Sequence, residues 1–322
     1  MTVFLLISKY DKSRRDGEVD DWTSYDDIGA AFGGRILTAE EYQRTEDLYI
    51  SAVELLAKAV GVDRFVLRHV FLNVPEPSWL GEMYDGRVVD LAAGLRLLRE
   101  SLRDGTTSAL LESGDVLRVA VDADFCLSVQ IQESALESLA EIEKMGLYPL
   151  RVPCWAEEEE PAVSRPTDGR FWADVTARAA VDSTPTLILE RQAQGTYGHR
   201  WYLVEDGGLP SVAGSVRRQS LVTAFFGVEI RWAARNALLR AVETLWGADD
   251  DPRVVIFLRS DEGPLRTLTC GEGVPLPSGA ELPPGDEFGF FLWPDEGVAF
   301  TQAVVPGEDG RIAARWPDPW VL

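Results

Sequence analysis

The sequence has little cysteine, little histidine and almost no lysine. Its 322 residues include three cysteines and two histidines. Cys126, Cys154 and Cys270 lack the spacing of a metal-binding cluster or of a dense disulfide framework. Unpaired thiols are typical of a reducing compartment. We therefore expect a cytoplasmic protein with reduced cysteines, no bound metal and no other cofactor.

Long hydrophobic runs are also missing. The apolar run at residues 3–7 is followed within a few positions by lysine and arginine, and no small-residue cleavage site comes after it. A membrane-spanning helix needs about 20 apolar residues, and a signal peptide needs a longer apolar centre than this run provides. The sequence therefore predicts neither a membrane segment nor a secretion signal.

Positive charge is scarce. The chain carries 53 acidic and 31 basic residues, a formal net charge of −22. Residues 1–160 hold 31 of the acidic and 16 of the basic residues, so the first half is the more acidic. Nucleic-acid binding needs clustered positive charge, which this composition does not offer. An acidic surface instead attracts a basic partner protein, although many proteins carry such charge for solubility alone.

No catalytic motif is present. The sequence contains no G-x-G-x-x-G after a predicted strand, no Walker loop and no G-x-S-x-G nucleophile elbow. His69 and His199 have no patterned nucleophile near them, so neither can be assigned to a hydrolase triad. We interpret both histidines as structural and predict no catalytic residue.

The best-defined element is a helix over residues 38–61. Thr38 and Glu41 form a capping box at its start, and Gly61 supplies the stop. Apolar side chains recur at helical spacing along one face, which predicts that this face lies in the core. That stripe consists of Tyr42, Thr45, Tyr49, Ala52, Val53, Leu56 and Val60.

Further helices and strands follow from periodicity and turn signals. We predict helices at residues 25–32, 88–102, 133–144 and 227–246, and strands at 3–8, 65–72, 147–152, 186–191, 199–205 and 254–258. Residues 116–121 and 125–131 read as a hairpin, whereas 288–293, 298–305 and 311–316 read as an antiparallel meander.

These elements predict an α/β (α+β) fold of two similar-sized domains, each a mixed, mainly antiparallel sheet packed by helices. Residues 1–155 form the acidic α/β domain, and residues 170–322 form a second α+β domain rich in tryptophan and hairpins. Between them, residues 156–169 contain four consecutive glutamates and two prolines, which is typical of a linker. The pattern of residues 52–68 recurs at 241–259, and that of 114–130 recurs at 285–302, which raises the hypothesis of an internal duplication.

One stretch combines aromatic rings with carboxylates, as protein-binding surfaces do. Its candidate partner-binding residues are Asp20, Asp21, Trp22, Tyr25, Asp26 and Asp27. The alternative is a solvated loop whose two rings fold into the core. The acidic spacing loosely matches a calcium-binding loop, but Asp21 occupies the position that requires glycine. Asp122 and Asp124 could serve as an acid and a base, although beside a hairpin they more simply form the turn.

The same region resembles a known family. Trp-Thr-Ser, Asp-Ile-Gly, Leu-Thr-x-x-Glu-Tyr and Glu-Asp-x-Tyr-Ile follow one another within residues 21–53. This order resembles the opening of small immunity proteins from bacterial polymorphic-toxin and contact-dependent inhibition systems. The resemblance covers 33 of the 322 residues, and it implies a protein that occupies a toxin without catalysis. The chain is longer than such proteins usually are.

We therefore expect a cytoplasmic protein that binds a cognate bacterial toxin with a basic surface and neutralises it by covering its active surface. Two other functions fit the sequence. An enzyme with a site between the two halves would need His69 or His199 near a carboxylate in a cleft. A scaffold or regulatory module would instead expose a large apolar patch.

Overall fold

The structure is a computed structural model that describes residues 2–10, 21–153, 162–181, 184–204, 208–246, 253–258, 263–270, 282, 287–294 and 297–316. The chain divides into two compact units: unit 1 comprises residues 1–160 with 193–197, and unit 2 comprises residues 161–192 with 198–322. Each unit contains helices and antiparallel sheets, so the predicted mixed α+β fold class is confirmed. The exact domain and linker boundaries stay predictions. Within the described residues, no helix is both long and apolar enough to cross a bilayer.

Unit 1 is built on a seven-stranded sheet. The strands of this unit are β1 (Thr2–Ser8), β2 (Ala31–Phe32), β3 (Arg35–Ile36), β4 (Arg64–Leu72), β5 (Val88–Asp90), β6 (Thr107–Ser113), β7 (Leu117–Asp122), β8 (Cys126–Gln132) and β9 (Tyr148–Arg151). Its helices are α1 (Ala39–Ala59), α2 (Leu91–Asp104) and α3 (Leu139–Lys144), with 3-10 turns at Tyr25–Asp27 and Glu133–Ser138. The sheet order is β5-β4-β6-β7-β8-β1-β9, and β2 pairs with β3 as a separate hairpin.

The long helix α1 has the predicted N-cap residue, Thr38, and the predicted terminating glycine, Gly61. Oγ1 of Thr38 accepts a hydrogen bond from the backbone N–H of Glu41 at 3.1 Å, which caps the first turn. Gly61 follows the helix with a φ of +70°, a conformation that favours glycine. Tyr42, Tyr49, Ala52, Val53 and Leu56 of the predicted stripe are buried.

Helices α1 and α2 cover one face of this sheet and enclose the core of unit 1. Val3, Leu5 and Ile7 of β1 are buried and the residues between them are more exposed, as a strand with one buried face requires. Helix α2 comes close to β4 because Gly94 has no side chain. A Cβ at Gly94 would lie 2.7 Å from Cδ2 of Phe65, well inside van der Waals contact.

Unit 2 contains two four-stranded sheets. Its strands are β10 (Thr186–Arg191), β11 (His199–Val204), β12 (Leu221–Phe226), β13 (Arg231–Ala234), β14 (Val254–Leu258), β15 (Arg266–Cys270), β16 (Glu287–Leu292) and β17 (Ala299–Val304). Its helices are α4 (Gly169–Ala179), α5 (Leu209–Ser215) and α6 (Arg235–Trp246). The first sheet has the order β11-β10-β12-β17, and the second has the order β13-β16-β14-β15.

The two sheets of unit 2 pack face to face between layers of helix. Trp201 and Phe225 of the first sheet share a core cluster with Phe257 and Phe291 of the second. On the outer side of the first sheet, residues of α4 and α5 pack in a separate cluster. Residues of α6 pack likewise on the outer side of the second sheet. The layers of unit 2 therefore run helix, sheet, sheet, helix.

Three predicted helices differ from the structure at their ends. The helix predicted at residues 25–32 is wrong beyond Asp27, because Gly29 has a φ of +95° and the chain then enters the β2–β3 hairpin. The first residues of the helix predicted at 88–102 form strand β5, and α2 starts after the N-cap Asp90. Residues 231–234, predicted as helix, form β13. In each case helical apolar spacing continued into an adjoining extended segment.

The predicted meander of the second half is wrong. Strand β16 pairs with β13 and β14, whereas β17 pairs with β12 in the other sheet. Residues 311–316 form no strand. The hairpin of β7 and β8 is confirmed, but the described strands of its proposed copy at residues 285–302, β16 and β17, pair with other strands and not with each other. This part of the duplication hypothesis is therefore wrong, because a strand pattern does not identify the strand's partner.

The described end of the predicted linker belongs to unit 2. The N–H of Val163 donates to the carbonyl of Trp316 at 2.9 Å, and that of Thr167 donates to Val304 at 3.0 Å. Oδ1 of Asp168 accepts from the N–H of Phe171 at 2.9 Å and caps α4. The four glutamates at residues 157–160 lie outside the described residues.

Candidate partner-binding site

The predicted partner-binding residues occupy different environments. Asp20 lies outside the described residues. Trp22 is buried, whereas Tyr25 and Asp26 are exposed, and Asp21 and Asp27 are partly buried. The structure therefore separates side chains that the sequence grouped together.

Trp22 is part of the core of unit 1. Only 5% of its surface is exposed, and its ring centroid lies 5.3 Å from that of Tyr42 and 5.0 Å from that of Phe125. Such tilted aromatic contacts stabilise a packed cluster. The Trp22 ring is therefore folded into the core, as in the alternative interpretation of this loop, and it is not exposed to a partner.

Asp21 stabilises a buried lysine of the same chain. Nζ of Lys9 lies 3.3 Å from the centroid of the Trp22 ring and 3.0 Å from Oδ2 of Asp21. Burial lowers the pKa of Lys9, and the Asp21 carboxylate opposes that effect. Oδ1 of Asp21 also accepts the backbone N–H of Trp22 at 2.9 Å. Asp21 therefore holds the segment to the core.

Asp27 closes the turn that follows Trp22. Its Oδ2 accepts the backbone N–H groups of Thr23 at 2.7 Å and of Ser24 at 2.9 Å. These hydrogen bonds satisfy donors that the start of a 3-10 turn leaves unpaired. The carboxylate of Asp27 is thus engaged on one side and partly exposed on the other.

Tyr25 and Asp26 point outward at the tip of this turn. Tyr25 is 44% exposed and sits edge-on against Tyr42, with ring centroids 5.3 Å apart and an interplanar angle of 88°. Asp26 is exposed. We call Tyr25, Asp26 and Asp27 the acidic tip, since Tyr25 and Asp26 are exposed and Asp27 is partly exposed beside them.

The acidic tip rests on an ordered aromatic base. The hydroxyl of Tyr42 donates to the carbonyl of Leu102 at 2.7 Å, and that of Tyr49 donates to Phe125 at 2.7 Å. Phe125 has a φ of +54°, a costly conformation for a residue with a side chain. The hydrogen bond from Tyr49 helps to hold that conformation and with it the ring on which Trp22 packs.

The other predicted candidates do not form a catalytic group. His69 is exposed at a bulge of β4 with a φ of +49°, and its backbone N–H donates to Oδ2 of Asp85 at 2.8 Å. Asp122 accepts the N–H of Ala123 at 2.7 Å, and the carbonyl of Asp124 accepts the hydroxyl of Tyr10 at 2.9 Å. Asp122 and Asp124 thus shape the β7–β8 turn. In the described part of the chain, no cluster of three His, Cys, Asp or Glu side chains could hold a metal ion.

Buried charges that the sequence reading missed hold unit 1 together. Glu46 is fully buried and accepts hydrogen bonds from Nη1 of Arg99 at 2.5 Å and Nε of Arg103 at 2.7 Å. Arg68 lies between Asp85 and Glu112 at 2.9 and 3.2 Å. Glu46 stands four residues after Tyr42, on the core stripe of α1, and that position was the signal for its burial.

No protein-family model, curated protein or solved structure matches this chain significantly. The resemblance of residues 21–53 to immunity proteins therefore stays a prediction. What the chain does must be inferred from its own charge and geometry.

Proposed function

We propose that this chain binds a cognate bacterial toxin with a basic surface and neutralises it by covering its active surface, without catalysis. The net charge of −22 supports this role, since an acidic protein attracts a basic partner over long distances. The resemblance at residues 21–53 supports it independently of charge. The acidic tip is the proposed contact.

The acidic tip is the observation that supports this role most directly. Tyr25 offers an exposed ring, and Asp26 and Asp27 place carboxylates beside it. Tyrosine is enriched among the residues that contribute most to binding energy, and flanking charges orient the partner. The hydrogen bonds of Asp27 and the packing of Trp22 fix the tip before binding, so little entropy is lost on association.

Co-expression tests the proposal. The tagged chain is produced together with the protein encoded immediately upstream, and the test is repeated with the protein encoded immediately downstream. We expect one of them to inhibit growth when expressed alone, to co-purify with the chain and to lose its toxicity in its presence. If neither neighbouring protein binds the chain and neither is neutralised by it, the proposal is wrong.

Variants of the tip locate the contact. Tyr25→Ala and Asp26→Lys change exposed side chains, whereas substitutions of Asp21 or Asp27 would also disturb Lys9 or the turn. We expect each variant to weaken toxin binding by about tenfold to a hundredfold, as the loss of an interface anchor or of a charge pair does.

Asp63→Lys is the matched control. Asp63 is exposed and lies beyond the other end of α1, about 30 Å away at 1.5 Å per helical residue. It makes the same change of net charge without touching the tip. Equal losses from Asp63→Lys and Asp26→Lys would show that only total charge matters and would remove the tip from the interface.

A further inference from the structure

Strand β10 of unit 2 carries an arginine, Arg191, for which the described residues provide no acidic partner. Arg191 is partly buried, and its Nε lies below the surface without a hydrogen-bond partner among the described residues. Its guanidinium lies over the ring of Trp316, with Cζ 5.9 Å from the ring centroid. Burial alone lowers the pKa of Arg191 to about 10. A desolvated guanidinium normally has a carboxylate or another anion to balance its charge.

His199 and Thr223 lie on the same face of the sheet as Arg191. His199 of β11 pairs directly with Arg191, and Leu221 of β12 pairs with it on the other side. Residues paired across antiparallel strands point to the same face, and so do residues two apart on one strand. Thr223 therefore shares the face with Arg191. Its hydroxyl is also buried and without a hydrogen-bond partner among the described residues.

The electrostatic surroundings of His199 are positive. Burial and the charges of Arg191 and Arg253 lower the pKa of His199 to about 3, so its imidazole is neutral at physiological pH. Its ring lies 5.6 Å from that of Trp293, and Cζ of Arg253 lies 4.7 Å from the same ring. A local concentration of cations stands out in a chain that carries a net charge of −22.

We propose that Arg191, His199 and Thr223 form a binding site for an oxyanion, the phosphate or carboxylate group of a small molecule. The guanidinium fork matches two oxygens of such a group, the neutral imidazole can donate one N–H, and the threonine hydroxyl can donate one O–H. Arg253 adds positive potential, and Trp293 forms a wall. Because both Arg191 and His199 are partly exposed, solvent reaches the site. The site is independent of the proposed toxin contact.

Histidine NMR tests the site in the intact chain. The protein has two histidines, so the imidazole region contains two sets of signals, and His199→Gln assigns them. Inorganic phosphate and acetate are added separately at constant ionic strength, with chloride as the reference. We expect phosphate, acetate or both to shift the His199 signals saturably and to leave His69 unchanged. A response to phosphate alone would show that the site takes phosphate groups. A response to acetate would show that it also takes carboxylate groups.

Variants at Arg191 give the second measurement. Arg191→Met keeps most of the aliphatic stem and removes the charge, and Arg240→Gln removes a charge from the exposed face of α6 as the matched control. We expect Arg191→Met to weaken binding roughly tenfold to a hundredfold, the effect of losing a charge-assisted hydrogen bond. Arg240→Gln should bind like the unmodified chain.

Two results would overturn the proposal. One is that neither phosphate nor acetate shifts His199 beyond the chloride reference, or that both histidines shift equally. The other is that Arg191→Met binds as tightly as Arg240→Gln. If Arg191→Met does not fold, the selective response of His199 over His69 in the unmodified chain decides the matter alone.

Discussion

Two aromatic residues three positions apart have opposite roles in the predicted site. Trp22 packs between Tyr42 and Phe125, and Tyr25 leans on the outer edge of Tyr42. The sequence could group them by composition but could not separate them, because a loop has no periodicity that identifies its buried side. Packing against Tyr42 of α1 determines which of the two rings is buried. The buried ring stabilises unit 1, and the exposed ring is free to contact a partner.

The first prediction compares these two residues. Trp22→Ala should lower the free energy of unfolding by about 3–5 kcal/mol, as the removal of a large buried ring does. Tyr25→Ala should cost about 1 kcal/mol, since it loses one aromatic contact at the surface. Urea denaturation followed by circular dichroism measures both. An equal loss for the two variants would contradict their assignment to core and surface.

The second prediction concerns His199 and pH. Unfolded His199 takes up a proton near pH 6.5, whereas in the folded chain its pKa is about 3. Because the unfolded state then binds more protons, stability falls as pH drops from 6.5 towards 3. Between pH 7 and pH 5 the unmodified chain should lose about 2 kcal/mol more stability than His199→Gln does.

Denaturant unfolding in sulfonate and amine buffers, which contain neither phosphate nor carboxylate, checks this dependence. His69→Gln, which changes the exposed histidine, is the control for the removal of a histidine. If His199→Gln and the unmodified chain have parallel profiles, His199 is not held neutral by burial and by its two arginines.

At the scale of elements, helices α1 and α2 are joined by buried charge as well as by apolar packing. Glu46 of α1 is fully buried between Arg99 and Arg103 of α2, while its neighbour Asp47 is 62% exposed at the side chain and also contacts Arg99, at 2.7 Å. Removing one partner of a buried ion pair lowers the free energy of unfolding far more than removing one partner of an exposed pair does. Glu46 and Asp47 carry the same charge and both contact Arg99, but only Glu46 is buried. Comparing variants of the two therefore shows how much burial adds to an ion pair.

The third prediction uses that pair. Glu46→Ala should lower the free energy of unfolding by roughly 3 kcal/mol, because it leaves a cavity and two arginines without their partner. Asp47→Ala should cost less than about 1 kcal/mol. Thermal unfolding monitored at the helical circular dichroism signal reads out both variants. Similar values for the two would mean that Glu46 contributes no more than a surface ion pair.

Local signals account for which elements the sequence could predict. Helix α1 was predictable because its apolar stripe lies within the helix and its cap and stop lie directly beside its two ends. Strand β6 and helix α4 were missed, and the boundary between β13 and α6 was wrong, because short apolar stretches fit helix and strand equally well. Burial of Glu46 could have been read from its place on the stripe, whereas its two arginines could not.

At the scale of the whole molecule, the fold class could be predicted from the sequence, but the pairing of the strands could not. The mixed α+β class followed from the elements, but the separation of β16 and β17 into different sheets depends on contacts remote in sequence. Likewise, Arg191 and His199 become a pair only through the β10–β11 register. Net charge, by contrast, can be read directly from the sequence of the full chain.

The fourth prediction is that association with the toxin depends strongly on salt. A net charge of −22 should accelerate the encounter with a basic protein at low ionic strength, where charges are weakly screened. The association rate constant should fall at least about tenfold between about 50 and about 500 mM sodium chloride, with a smaller change in the dissociation rate. Stopped-flow mixing measures both. A rate independent of salt would contradict electrostatic steering.

Neutralisation by occupancy has a direct test in the stoichiometry of inhibition. The purified chain is titrated into the neighbouring toxin while the toxin's activity is followed, and the toxin is then recovered from the complex and weighed by mass spectrometry. We predict a linear fall in activity that ends at a fixed, whole-number ratio of chain to toxin, with recovery of unmodified, active toxin. Complete inactivation by a small fraction of one equivalent, or a covalent change in the toxin, would show that the chain acts as a catalyst and would contradict the proposed function.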